Sequence, residues 1–157
     1  MPADAPEPLG KHVVTISYHD ANSYHNVLTG RSVAGALNLV NKSVIDWYSK
    51  KQAAVETATY GSEFSSARTC AEQIMDLRNT LRYLGAPIRN KSFIFGDNNT
   101  AVNESMIPHA KTHKRHAALS FHRVREAATA KIILHHFIKG SANPSNILSK
   151  YWGHSKV

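Results

Sequence analysis

The hydrophobic period changes once, near Tyr60, and that change constrains the fold more than any other feature of the chain. Before it, the segments read as strands. "HVVTISYHD" alternates Val14, Ile16 and Tyr18 against more polar neighbours and predicts a strand ending near Asp20. "SVAGALNLV" and "SVIDWYSKK" predict two further strands joined through Asn41-Lys42, with Thr29-Gly30 as the turn signal ahead of them. Three consecutive strands with short joints make an antiparallel meander. After the change, Phe64, Ala67, Ala71, Ile74, Leu77, Leu81 and Leu84 fall three and four apart. They form one face of a long amphipathic helix that Gly85 and Pro87 close.

The remaining elements follow from shorter signals. "KSFIFGD" predicts a fourth strand, and "NNTAVNESM" a short helix with Asn98 or Asn99 as N-cap and Pro108 as its end. "KRHAALSFHRVREAATA" predicts a second helix, basic on its outer face; "KIILHHFI" is a fifth strand. "KGSANPS" is a loop, and "NILSKYW" a last short helix. The order β-β-β-α-β-α-α-β-α predicts an α/β fold: a mixed five-stranded sheet, three strands antiparallel and two parallel, flanked by helices.

The 157 residues suit one domain, with the Pro-rich residues 1–11 read as a linker and 12–157 as the folded unit. No apolar run approaches the ~20 residues of a membrane-spanning helix, and "MPADAPEPLGK" has no apolar signal-peptide core. The single cysteine, Cys70, excludes an internal disulfide and reads as a small buried hydrophobe. It fits a reducing intracellular setting, cytoplasm or nucleus. A net charge of +8 favours a polyanionic partner over a membrane surface, because no helix is basic on one face and strongly apolar on the other.

Asp20 and Asp97 end the first and fourth strands. If those strands lie parallel and adjacent, both acids open onto the sheet edge where α/β proteins place ligands. Glu63 precedes the core position Phe64 near the start of the long helix and can angle toward the same edge. Three acids from three remote segments repel one another unless cations neutralise them, and hard oxygen ligands suit Mg²⁺ or Mn²⁺. Two such ions about 3.5–4 Å apart form the clamp used for phosphodiester cleavage. The residues also allow a plainer reading, with Glu63 a first-turn acid favoured by the helix dipole and Asp20 and Asp97 as turn acids. Spacing does not exclude Asp46, Glu56, Glu72, Asp76, Glu104 or Glu126 either.

Several motifs, in order, resemble the ribonuclease H domain at the C-terminal end of copia-type retrotransposon polyproteins. "TGRSVAGALNLVNKSVIDWYSKKQAAVETATYGSEF" is similar to that family's Gly-Arg/Lys-Ser turn, its strand ending in an aromatic-Ser-Lys-Lys/Arg-Gln run and its Glu-aromatic helix start. "FIFGDNNTAV", "KRHAALSFHRVREA" and "NPSNILSKYWG" resemble its Asp-Asn strand end, its basic His helix and its closing Asn-Pro-Ala-Asp motif. "APEPLGK" resembles the spacer after the reverse transcriptase. The resemblance implies a ribonuclease H-like fold and metal ligands at Asp20, Glu63 and Asp97. It leaves Glu56 and Asp46 as bystanders. The fourth ligand of the family is an aspartate, where this chain has Asn146; an amide oxygen can ligate a cation but brings no charge.

The resemblance further implies endonucleolytic hydrolysis of the RNA strand of RNA–DNA hybrids with two Mg²⁺ ions, Mn²⁺ being possible. Asp20 would bridge both ions, Glu63 and Asp97 would hold one, and Asn146 would weakly support the other. A reverse transcriptase domain or subunit is an expected partner; a membrane is not. Lys111, Lys114, Arg115, His116 and Arg123 are the expected track for the hybrid's phosphates, giving shape rather than base readout. The alternative is a weakened or silent nucleic-acid-binding module with the same fold, since Asn146 replaces an acid. A third reading is a zinc-binding interaction domain built on His109, His113, His116 and His122, of which the first two have helical ligand spacing. Of His135 and His136, adjacent in a strand, one is expected in the core and one in solvent. Trp47, Tyr48 and Trp152 read as packing residues.

Overall fold

The computed structural model describes residues 9–22, 30–53, 55, 59–107 and 118–150. Burial alternates over the first half of β1 (Thr15–Asn22), which pairs antiparallel with the largely buried β2 (Val33–Val40); β2 pairs antiparallel with the exposed edge strand β3 (Ser43–Lys51). The β2–β3 turn places Asn41 at φ 57°, a left-handed conformation that asparagine tolerates. The Asn41 Oδ1 also accepts the Val14 amide at 3.0 Å. Helix α1 (Thr59–Tyr83) follows, then β4 (Ser92–Gly96), α2 (Asn99–Met106), α3 (Ala118–Thr129), β5 (Ile133–Phe137) and α4 (Asn146–Ser149). Strand order is β3-β2-β1-β4-β5, with the β1–β4 and β4–β5 pairs parallel. The mixed five-stranded sheet and the order of elements agree with the sequence reading.

Helices α1, α2 and α3 cover one face of the sheet, and α4 sits on the other, against β1, β2 and β3. The core lies under α1, where Phe64, Ala67, Cys70, Ala71 and Ile74 meet Ala36, Ile94, Phe121, Val124 and Ile133. Small residues in the first half of α1 let its backbone approach the strands. Cys70 is fully buried, and burial pushes its thiol up to about 12, so it is the inert hydrophobe expected. Ile74→Val removes one methyl group from a site with no solvent exposure and is expected to cost about 0.5–1.5 kcal/mol. A lower urea midpoint at unchanged slope checks this.

Two packing expectations differ from what is found. Leu84 is 66% exposed, because α1 ends at Tyr83 in a Schellman cap. There Ala86 N–H donates to Leu81 O, Gly85 N–H donates to Arg82 O, and Gly85 takes φ 76°. Trp47 is also 66% exposed: it stands on edge strand β3, on the sheet face opposite α1, where α4 is too short to cover it. Tyr48, one residue on, packs against the core. Trp152 lies outside the described residues.

Candidate metal centre

Parallel register brings two acids together. Tyr18 pairs with Phe95, so Asp20 and Asp97 each lie two residues beyond the last registered pair, at the same sheet edge. Both side chains leave the strands on the same side by the two-residue alternation. Glu63 arrives from α1, one position before the buried Phe64. Oxygen atoms of Asp20, Glu63 and Asp97 all lie within 4.8 Å of one another. Glu63 is the fifth residue of α1, so the reading of it as a first-turn dipole acid does not hold.

Each acid is anchored by a neighbour. The Glu63 Oε1 accepts the Ala21 amide at 3.3 Å, and Asp20 Oδ2 accepts the Ser149 hydroxyl of α4. The Asp20 backbone carbonyl accepts from Ser66 of α1 at 2.9 Å, tying strand end to helix. Asp97 lies beside Gly140, where a Cβ would stand 2.9 Å from its Oδ2. The N-cap of α2 is Asn98, whose Oδ1 accepts the Ala101 amide at 3.0 Å; this fixes the turn that follows Asp97.

The electrostatics are those of crowded, partly buried acids. Burial, then the charges of Asp20 and Asp97, push Glu63 up to about 9. Burial and Asp20 also raise Asp97, while Lys150 pulls both groups back. The second Glu63 oxygen, Oε2, is buried without a hydrogen-bond partner, as is Asn146 Oδ1. These two orphaned oxygens, one on a carboxylate of the cluster and one on an amide, suit a divalent cation, because burying them unpaired is costly.

This has a measurable consequence in a chelator. The unfolded chain releases the Glu63 proton near the ordinary carboxylate value, whereas the folded chain holds it to about 9. The unfolded state therefore binds fewer protons between those limits, and stability falls as pH rises. His19 and His135 have lowered values and act only below about 6.5, where the unfolded histidines protonate and stability falls on acidification. From pH 6.5 to about 9 the carboxyl effect stands alone, at most about 1.4 kcal/mol per pH unit. Urea midpoints should decline across that window, and Glu63→Gln should flatten the decline.

No family profile and no curated protein matches the chain in sequence. Solved structures do match. The N-terminal ribonuclease H domain of Rv2228c from Mycobacterium tuberculosis superposes with TM-score 0.67 at 13% identity, over 87% of this chain and 91% of that one. The LC11 ribonuclease H1 in complex with an RNA/DNA hybrid gives TM-score 0.66 at 14% identity, over 86% and 93%. The fold is ribonuclease H-like. A foamy viral protease–reverse transcriptase in complex with an RNA/DNA hybrid contains a similar unit: TM-score 0.56 at 12% identity, over 95% of this chain and 21% of that one.

Within this ribonuclease H-like fold, Asn146 stands beside the acids. Its Nδ2 donates to the Gly140 carbonyl, and Ser149, three residues further along α4, holds Asp20. Asp46 is elsewhere, 3.4 Å from Asn38 Nδ2 over the body of α1. Arg123 is drawn to acids rather than to the site: it contacts Glu126 at 2.9 Å and Glu72 at 3.9 Å. Glu72 is nine residues, about 13 Å of helix rise, from Glu63. Lys111, Lys114, Arg115 and His116 lie outside the described residues, as do Glu56, His109 and His113. His122 is exposed on α3. His135 is buried and His136 exposed, as alternation requires.

The sequence reading did not find Ser149, which the three-residue step from Asn146 along α4 could have suggested, or Lys150, which caps that helix. Nor did it find the exposed Arg31, Lys50, Lys51 and Lys139. These share the strand-end edge with the acids, since Val33 and Lys51 pair there and Gly140 adjoins Asp97.

Proposed function

We propose that this chain is a retrotransposon-type ribonuclease H that hydrolyses the RNA strand of RNA–DNA hybrids. The convergence of Asp20, Glu63 and Asp97 at the ends of β1, α1 and β4 carries the reading. The ribonuclease H-like fold and the copia-type motifs support it. Asp20, Glu63, Asp97 and the Asn146 amide oxygen would hold two divalent cations, Mg²⁺ or Mn²⁺. When bound, these would supply an activated water and charge neutralisation at the leaving oxygen.

The chain's own residues account for the rest. Ser149 orients Asp20, the Ala21 amide orients Glu63, and Lys150 favours the ionised state of Glu63 and Asp97. Arg31, Lys50, Lys51 and Lys139 at the same edge suit phosphate contacts, with Lys111, Lys114, Arg115 and His116 as proposed further contacts. Water is the nucleophile, so no covalent enzyme intermediate forms. A reverse transcriptase domain or subunit is the proposed partner, and an intracellular compartment the proposed setting.

A second reading, a hybrid-binding module without turnover, is favoured by one observation. The Asn146 amide, where an acid would add charge, is anchored on the Gly140 carbonyl. A labelled hybrid of about 20 base pairs separates the two. The nuclease reading expects RNA-strand fragments with Mg²⁺ and an intact DNA strand. Salt-sensitive binding without fragments favours the module.

A further inference from the structure

One row of residues, drawn from three strands, lies under α4. In the antiparallel register Gly35 of β2 pairs with Asp20 of β1 on one side and with Ser49 of β3 on the other. Residues paired in this way share a face of the sheet, here the face that carries α4. The helix touches all three. The Ser149 hydroxyl donates to Asp20 Oδ2, and the Ser49 hydroxyl donates to the Leu148 carbonyl at 2.6 Å. Between these two hydrogen bonds α4 rests on Gly35. A Cβ there would stand 2.9 Å from Leu148 Cβ, 3.0 Å from the Ser145 carbonyl oxygen and 3.1 Å from the Leu148 carbonyl carbon. Gly35 has no positive φ, so what the glycine supplies is clearance.

These contacts matter because α4 cannot place itself. Its four residues make one turn, far short of the about 12–15 at which a helix begins to hold its shape unaided. Its seat is therefore set by what it rests on and by the loop that leads into it. In that loop the buried Asn143 donates through Nδ2 to the His19 carbonyl at 2.8 Å. The Asn143 Oδ1 accepts the Ser145 amide at 3.1 Å and the Ser145 hydroxyl at 2.7 Å. The helix in turn carries Ser149, which grips Asp20, and Asn146, whose Oδ1 is buried without a hydrogen-bond partner. A shift of α4 against the sheet moves that oxygen relative to the acids.

We infer that Gly35 and Ser49 are positioning residues for the cation site: they set the height at which α4 sits and so hold the Asn146 amide oxygen in place as a ligand. The inference rests on the metal-site reading above and extends it to two residues outside the ligand set.

Calorimetric titration of the full chain with Mg²⁺ alone tests this. Gly35→Ala sets a methyl group against backbone atoms of α4, which cannot turn aside as the tip of a side chain could. Mg²⁺ affinity is expected to fall about 10-fold, the low end for changes in residues that support ligands. Ser49→Ala removes the hydrogen bond at the far end of the row from an exposed position, so the core is untouched, and affinity should fall in the same direction. Ser49→Thr, which keeps a hydroxyl, should restore it. Both losses should shrink to within about twofold in an Asn146→Ala background, because the ligand whose place they set is gone. A purely structural role would cost the same in both backgrounds. Unchanged affinity in either variant, or equal losses with and without Asn146, overturns the inference and leaves the acid site standing. A wild-type chain that binds no Mg²⁺ overturns the metal-site reading, and this inference with it.

Discussion

Asp20→Asn is expected to abolish cleavage of an RNA–DNA hybrid while making the chelated protein more stable. Asp20 is buried, contacts both other acids, and takes a hydrogen bond from Ser149. An amide oxygen at that position still accepts the Ser149 hydroxyl, so the local fold keeps its anchor. The charge is lost, and with it the attraction for a cation. Changes one shell further out typically cost 10–100-fold, so loss of a central ligand charge is expected to cost roughly 10³-fold or more in turnover. In a chelator the sign reverses. Removing one of three mutually repelling acids relieves Glu63 and Asp97, and a gain of about 1 kcal/mol is expected, as is common where a strained site is neutralised. Opposite signs in the two assays separate a lost ligand from a misfolded variant. Cleavage within threefold of wild type would remove Asp20 from the mechanism.

Asn146→Asp carries the second large effect, and its sign depends on the cation. The present amide donates through Nδ2 to the Gly140 carbonyl and leaves Oδ1 buried and unpaired. A carboxylate in its place cannot donate, so it would face that carbonyl and add a fourth negative charge beside Asp97. The chelated variant should therefore be less stable by about 1–3 kcal/mol, the cost of leaving a buried acceptor unmatched. Divalent cation should more than reverse the loss, because the added charge lies where Oδ1 already lacks a partner. We expect the Mg²⁺ needed for half-maximal cleavage to fall about 10-fold. A rise in melting temperature on adding Mg²⁺ should likewise be larger in the variant than in wild type. An unchanged Mg²⁺ requirement would mean that Asn146 stands outside the ligand set.

The sheet was legible because its signals are local. Alternation in β1 and β2, the Asn41-Lys42 turn and the three-and-four spacing of Phe64, Ala67, Ala71 and Ile74 each act within one element. The acids were legible at one remove: a strand-end position for Asp20 and Asp97, and a neighbour of core Phe64 for Glu63. What tied them into one site on the page of the sequence was the family resemblance, since spacing alone left six other acids open. The contact of the buried His19 and His135 rings, 2.9 Å between their Nε2 atoms, was not legible at all. The two residues are 116 positions apart, and a Cβ at Gly96, between them, would overlap the His19 ring. Trp47 was misread because hydrophobicity says nothing about whether a neighbour exists to cover it. The basic residues at the site edge were overlooked for a related reason. Arg31, Lys50, Lys51, Lys139 and Lys150 are scattered in sequence and gathered only by the antiparallel return of β2 and β3 and the position of α4, whereas the contiguous "KTHKR" run drew attention to itself.

The most direct test of the central claim is cleavage of a hybrid labelled on its RNA strand, followed across a Mg²⁺ titration from chelated to saturating, with wild type and Asp20→Asn side by side. RNA fragments that appear only with Mg²⁺, in wild type and not in the variant, are the predicted result. Fragments that persist in the chelator, or in Asp20→Asn at equal Mg²⁺, would contradict it.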